Sequence, residues 1–322
     1  MAYAQAKQMA ADKIPVIDIS PLRDGTDPIG VAKALNAASR SLGFIYIKGH
    51  GIPESAIDSA RQTALQFFRS PSADKKKVAV SAHHRGWIGI GGAKMQDDAK
   101  ADLKESYIWG LQDASGVLPD NHPLRGPNQW PDCLPAMERD AMTYFHHAHD
   151  VAHHLMRGFA LGLGRDPDTF LKTASRPLSR ASFVYYPPQD AVSGEQQFGV
   201  GPHTDFGVLT VLCQDDVGGL QVQDTSGDWI HAPPIPGSLV VNVADLLARW
   251  TAGAYKSTPH RVVNSPGQER LSLVLAFDPD PETLIDASDV FGAGTHGAEE
   301  PITCGDYLIW RFGKAFAYRA GQ

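Results

Sequence analysis

His203 and Asp205 stand two residues apart in Gly201-Pro202-His203-Thr204-Asp205-Phe206-Gly207, and a second histidine follows in Pro259-His260-Arg261-Val262. Two imidazoles and one carboxylate oxygen form a set that suits a divalent iron and leaves coordination positions open for other ligands. Downstream, Arg270-Leu271-Ser272 places a guanidinium fork and a hydroxyl at i and i+2, a pair suited to gripping a carboxylate bidentately. Each piece alone has a plainer explanation. A short polar pair at a strand entrance is commonly turn chemistry, and a single histidine is commonly structural. The ordered set of H-x-D, a turn-rich gap, a strand-borne His and then R-x-S outweighs those readings.

Elements must bring these residues together. Residues 203 and 205 open a run that continues Val208-Leu209-Thr210-Val211-Leu212-Cys213, so a strand would turn both toward one metal. His260 opens Arg261-Val262-Val263-Asn264, set between Pro259 and Ser265-Pro266-Gly267. From about residue 178 onward the chain reads as short strands with Gly and Pro punctuation: 181–186, 208–213, 220–223, 228–231, 238–243, 261–264 and 271–277. That pattern indicates a sandwich or barrel. Upstream, apolar spacing predicts helices over 27–42, from Pro53 through Phe68, and over 134–163, with strands at Phe44-Ile45-Tyr46-Ile47 and Glu105-Ser106-Tyr107-Ile108-Trp109.

Other chemistry-bearing residues divide differently. The long helical stretch carries His146, His147, His149, His153 and His154, but without a neighbouring Cys or carboxylate ligand it reads as a packed or solvated helix face. Lys75-Lys76-Lys77 reads as solvated surface. The glycines of Arg85-Gly86-Trp87-Ile88-Gly89-Ile90-Gly91-Gly92 lack the strand-turn-helix setting and acidic partner of a dinucleotide fingerprint.

The whole set resembles the isopenicillin N synthase-like branch of the Fe(II)/2-oxoglutarate-dependent oxygenases. Ile14-Pro15-Val16-Ile17-Asp18, Gly43-Phe44-Ile45-Tyr46-Ile47-Lys48-Gly49-His50-Gly51-Ile52, Tyr185-Tyr186-Pro187, Gly219-Leu220-Gln221-Val222 and Asn242-Val243-Ala244-Asp245 extend the likeness across most of the chain. Met156 to Arg165 and Gly305-Asp306-Tyr307-Leu308 are similar to the isopenicillin N synthases themselves. The resemblance implies a mainly β fold with flanking helices, a double-stranded β-helix (jelly roll) core buttressed by an α-helical N-terminal region. On this division, 1–120 is an N-terminal α/β region, 121–175 a long buttressing helix, and 176–322 the jelly-roll core with a C-terminal helix.

It also implies roles. His203, Asp205 and His260 would bind Fe(II); Arg270 and Ser272 would hold the distal carboxylate of 2-oxoglutarate, with Tyr186 adding a phenolic hydrogen bond. Some relatives have an asparagine two residues before that tyrosine, where this chain has Val184. Arg85 and Trp87 match the region that binds substrate in the penicillin-forming relatives, and a carboxylate-bearing substrate would suit Arg85. Asp245 matches a structural turn or cap position. Gln322 is similar in place to a glutamine that can approach the metal in those relatives, although a frayed terminus is expected.

The expected activity is oxidation of a small molecule by O₂ and 2-oxoglutarate, by hydroxylation, desaturation or ring closure, with release of succinate and CO₂. Two alternatives remain at this point: an isopenicillin N synthase-like oxidase that needs no 2-oxoglutarate, and a non-catalytic jelly-roll binding module, disfavoured by the complete ligand set. The sequence itself does not name the primary substrate. A net charge of −7 over 322 residues gives no basic field for nucleic acid or an anionic membrane. Three cysteines without C-x-x-C spacing fit a reducing compartment, and neither a leader's apolar core nor a membrane-spanning run is seen, so a cytoplasmic location is expected.

Overall fold

The computed structural model describes residues 14–93, 102–111, 122–189, 198–295 and 297–319. Its framework strands are β1 (Val16–Asp18), β2 (Phe44–Lys48), β3 (Gly86–Ile88), β4 (Glu105–Gly110), β5 (Arg180–Tyr186), β6 (Val200–His203), β7 (Leu209–Cys213), β8 (Leu220–Gln223), β9 (Trp229–His231), β10 (Leu239–Val243), β11 (His260–Val262) and β12 (Arg270–Phe277). They form an eight-stranded sheet in the order β1-β2-β10-β7-β12-β5-β4-β3 and a four-stranded sheet in the order β6-β11-β8-β9. Apart from the parallel β1/β2 pair, neighbours run antiparallel.

The period of two along a strand decides what each face of the large sheet does. On β12, Leu271, Leu273, Leu275 and Phe277 enter the larger apolar core, whereas Arg270, Ser272, Val274 and Ala276 line a cavity between the sheets. β5 repeats the division, with Ala181, Phe183 and Tyr185 on the core side and Arg180, Ser182, Val184 and Tyr186 on the cavity side. Pairing of Arg270 with Tyr186 and Ser272 with Val184 puts these cavity residues in facing rows.

The helices cover the other face. Ala136–Gly162 buries Met137, Ala141, Tyr144, Ala148, Val151, Leu155 and Phe159 at helical spacing, and Tyr144 donates its hydroxyl to the Leu273 carbonyl at 3.3 Å. Pro28–Ser41 and Glu54–Phe68 pack against it. The first begins at Asp27, whose carboxylate accepts from Gly30 N at 2.9 Å, with Pro28 at its first turn. Leu273 is fully buried between sheet and helix, and its truncation to Ala would cost about 2–5 kcal/mol. His149 and His153 both pack toward Phe277, with ring centroids 5.4 Å away, so they belong to a packed face.

Two sequence readings change. Lys75 leaves the expected solvated run: it is buried in the helix Ser72–Lys77, pairs with Glu105 at 2.7 Å and donates to the Phe68 carbonyl. A buried carboxylate on β4 requires that cation. The glycine-rich stretch after Arg85 contains β3, paired with β4, and β1 is likewise a strand that apolar spacing alone did not mark.

Candidate active site

His203 ends β6 and His260 begins β11, and the two residues are directly paired across the small sheet. Their ring centroids are 4.2 Å apart. Asp205 is in the turn beyond β6, since the strand expected to run through it stops at His203 and resumes as β7 at Leu209. Backbone bonds from Asp245 N to the Asp205 carbonyl and from Leu246 N to the Gly207 carbonyl, each 2.9 Å, fix that turn. Asp205 Oδ1 is 3.6 Å from His203 Nε2 and 3.7 Å from His260 Nε2.

The other atom of each side chain is engaged. His203 Nδ1 contacts the Gly201 carbonyl at 2.8 Å and His260 Nδ1 the Thr258 carbonyl at 3.2 Å. A carbonyl only accepts, so each Nδ1 carries the proton and each Nε2 presents its lone pair to the cluster. Asn242 donates to Asp205 Oδ2 at 2.8 Å, which leaves Oδ1 directed toward the imidazoles. Burial and the neighbouring His260 push His203 down to about 3. Burial raises the Asp205 carboxyl, but His260, His203 and hydrogen bonds from Thr210 and Asn242 outweigh it and hold the group at about 2. At neutral pH His203 is therefore a neutral imidazole and Asp205 a carboxylate, the protonation states that a divalent metal requires of such ligands.

The cavity that contains the cluster has a volume of about 200 Å³ and a mainly apolar lining. At one end stand Arg270, 2% exposed, and Ser272, 1% exposed. Among the described residues, Arg270 Nε, both its terminal nitrogens and Ser272 Oγ meet no hydrogen-bond partner. Tyr186 flanks them, its ring centroid 4.7 Å from the guanidinium carbon. A buried, unpaired guanidinium beside an unpaired hydroxyl is costly unless an anion joins them.

Arg85 and Trp87 are not brought to this cavity. Arg85 is buried, with one terminal nitrogen directed to the His83 and His84 carbonyls at 3.4 and 3.1 Å. Trp87 pairs with Tyr107 on the opposite face of the large sheet and donates to Glu105 at 2.7 Å. The parity of β3 accounts for Trp87, whereas Arg85 precedes that strand and its guanidinium lies against Gly110, the β4 residue paired with Arg180. Gln322 lies outside the described residues. Asp245 opens the helix Asp245–Trp250 and accepts from Thr204, Ser257, Tyr307 and Arg311, a structural junction as expected.

Sequence reasoning gave no role to Asn242 or Arg180, both of which line the cavity. Asn242 had a legible signal: an amide inside Leu239-Val240-Val241-Asn242-Val243 is buried at 3% and needs a partner.

Comparison with known proteins follows the same geometry. Residues 176–279 match the model of the 2OG-Fe(II) oxygenase superfamily, and residues 14–133 match the model described as non-haem dioxygenase in morphine synthesis N-terminal. A homoarginine-6-hydroxylase of Glycine max is 35% identical over 91% of this chain and 94% of its own length. A validamycin A dioxygenase of Streptomyces hygroscopicus subsp. limoneus is 32% identical, covering 87% of this chain and 81% of the relative. A full-length Neurospora crassa protein crystallised in complex with alpha-KG and thymine superposes with a TM-score of 0.83 at 30% identity, over 96% of this chain and 99% of that one.

Proposed function

The chain belongs to the 2OG-Fe(II) oxygenase superfamily, and we propose that His203, Asp205 and His260 hold its iron while Arg270, Ser272 and Tyr186 hold 2-oxoglutarate. It is an Fe(II)- and 2-oxoglutarate-dependent enzyme that oxidises a small molecule. When bound, the iron supplies O₂ activation coupled to conversion of 2-oxoglutarate to succinate and CO₂, with oxidation of a C–H bond of the substrate.

The donor set fits such an ion. Both Nε2 lone pairs and Asp205 Oδ1 converge, with the three ligand atoms within 4.8 Å of one another. The observation that carries the 2-oxoglutarate assignment is Arg270, whose three guanidinium nitrogens are buried next to Ser272 Oγ with no hydrogen-bond partner among the described residues. A dicarboxylate with one end at the metal cluster would bring its other end to this fork. The apolar walls at Val184, Val262 and Leu220 keep water from the grip and strengthen it. Tyr186 orients the guanidinium through its ring face and covers one side of it.

The likeness of residues 156–165 and 305–308 to isopenicillin N synthases supports a place in that branch. The relatives' names span homoarginine, validamycin A and thymine, so ancestry does not select the primary substrate. Free Cys133, Cys213 and Cys304 suit a cytoplasmic setting, and among the described residues no helix is long and apolar enough to cross a membrane.

Anaerobic addition of 2-oxoglutarate to the Fe(II) protein tests the reading. A visible charge-transfer band should appear with one equivalent of iron, and Arg270→Ala should displace its midpoint to much higher 2-oxoglutarate. An unchanged midpoint in that variant would remove Arg270 from the assignment.

A further inference from the structure

The cavity has a second polar end, six positions along β5 and β12 from the Arg270–Tyr186 pair, a separation of roughly 20 Å along the strands. Arg180 lines this end. It lies in one cross-strand row with Ala276, Thr210 and Asn242, the last of which holds Asp205. Arg180 therefore belongs to the metal's side of the cavity, apart from the 2-oxoglutarate grip.

One terminal nitrogen of Arg180 donates to Asp278 Oδ2, and the other Asp278 oxygen accepts from Val208 N at 3.0 Å. The guanidinium carbon lies 4.7 Å from the Phe312 ring centroid. Asp278, fully buried, thus fixes the plane of the fork and uses one of its nitrogens, while the side chain still borders open space.

His84 borders the same end. Its φ of 61° is a left-handed conformation, held by stacking on Phe312 at 4.4 Å and by a hydrogen bond between Nδ1 and the Tyr318 hydroxyl. Such strain in a non-glycine residue persists where surroundings enforce it, commonly at ligand sites. Burial, then Arg180, Arg85 and Arg319, drive the imidazole's pKa well below its ordinary value, so the ring is neutral.

Among the described residues, the charges around it do not balance. Arg85 bonds carbonyls and has a buried, unpartnered Nε; Arg319, 2% exposed, donates to the Ala82 carbonyl at 2.9 Å. Among the described residues, Asp278 is the carboxylate bonded to this trio of guanidiniums, and it serves Arg180. Among the described residues no carboxylate is bonded to the other two, so two buried positive charges stand in a wall of low polarity, which lowers the energy of an anion in the adjoining cavity. Phe206, Phe316 and Ile108 offer apolar contact beside it.

We propose that the primary substrate bears an anionic group, a carboxylate in its simplest form, and that Arg180 receives it while Arg85 and Arg319 supply the field. The proposal rests on the oxygenase reading of this cavity and adds the chemical class of its substrate. Arg180 is the contact; Arg85, which the sequence nominated, acts from behind it.

Three compact probes of one shape and different charge test this: 3,3,3-trifluoropropionate, its amide, and 3,3,3-trifluoropropylamine. Binding is read by fluorine NMR on anaerobic Fe(II) protein saturated with 2-oxoglutarate, so that Arg270 and the metal are occupied. The acid should bind tightest, the amide roughly tenfold or more weaker, and the ammonium weakest. In the double variant Arg180→Gln, Asp278→Asn, which leaves no unpaired buried carboxylate, the acid's advantage over its amide should fall close to one. Arg180→Lys should keep part of it. An acid that binds no more tightly than its amide, or a preference that survives the double substitution, overturns the proposal. Titration of 2-oxoglutarate in the same samples separates this outcome from failure of the oxygenase reading, which would appear as absent 2-oxoglutarate binding.

Discussion

Asn242 donates its side-chain amide to Oδ2 of Asp205 at 2.8 Å, from within a strand whose other residues are apolar and buried. The contact reserves Oδ1 for the two imidazoles and keeps the carboxylate from rotating away. Asn242→Ala should therefore weaken Fe(II) binding about 10- to 100-fold without loss of fold. Asp205→Ala, His203→Ala or His260→Ala should abolish tight binding. Iron retained after dialysis against a chelator of graded strength measures both, and wild-type retention by all of these variants would dismiss the cluster as a metal site.

Arg270 makes opposite predictions for affinity and for stability. Arg270→Leu should weaken 2-oxoglutarate binding by about 2–5 kcal/mol, part of which is the carboxylate left unpaired. In the absence of 2-oxoglutarate the same variant should melt no lower than wild type, because it removes a buried cation with no hydrogen-bond partner among the described residues. Saturating 2-oxoglutarate should raise the wild-type melting temperature and leave the variant's unchanged. A variant that melts lower without ligand would mean that Arg270 has a structural partner.

Gly207 is required by close approach. A Cβ there would lie 2.1 Å from Asp278 Oδ1, the oxygen that accepts from Val208 N. Gly207→Ala should push Asp278 away from Arg180 and destabilise the protein by about 1–3 kcal/mol. Urea midpoints measure the loss. Equal midpoints would show that the turn yields freely.

Stability should fall as pH drops from 7 to 5. His149 is pushed down to about 3 by burial and by His153 and His146, while the unfolded chain's histidines titrate near 6.5. Between those values the unfolded state binds more protons, so stability is present above about 6.5 and is lost on acidification. Each such histidine adds a slope of up to about 1.4 kcal/mol per pH unit. His149→Phe, which preserves the stacking on Phe145, should flatten the dependence measured by urea unfolding at pH 7, 6 and 5. A steeper slope in the variant would refute the sign.

Local sequence carried the parts of the fold that repeat a period. In the β12 run from Arg270 to Phe277, Leu271, Leu273, Leu275 and Phe277 recur at every second position, so strand, core face and the shared face of Arg270 and Ser272 could all be read from the residues alone. The long helix was legible for the same reason. Arg85 was not legible because it stands just before β3, a strand of three residues too short for a pattern to show, and its guanidinium is placed by the His83 and His84 carbonyls and by Gly110 on β4. Asp205 was assigned to a strand because its β-forming neighbours mask the turn that Asp245 and Leu246 fix from forty residues away in sequence. Arg180 escaped notice because an arginine at a strand start is ordinary; its meaning comes from Asp278 and Phe312, both distant in sequence.

The order of the large sheet also has a consequence for how the chain is made. Strands β1 and β2 lie at one edge and β4 and β3 at the other, with β10, β7, β12 and β5 between them. During synthesis Phe44 emerges long before Asn242, its partner across the sheet, and Glu105 long before Tyr185. The early strands must therefore wait with unpaired edges until the middle of the sheet has left the ribosome. Such non-local pairing slows folding and exposes edges that can join other chains. The helices Pro28–Ser41 and Glu54–Phe68 are local and can form meanwhile, which gives the nascent chain a cover for its apolar strands before their partners exist.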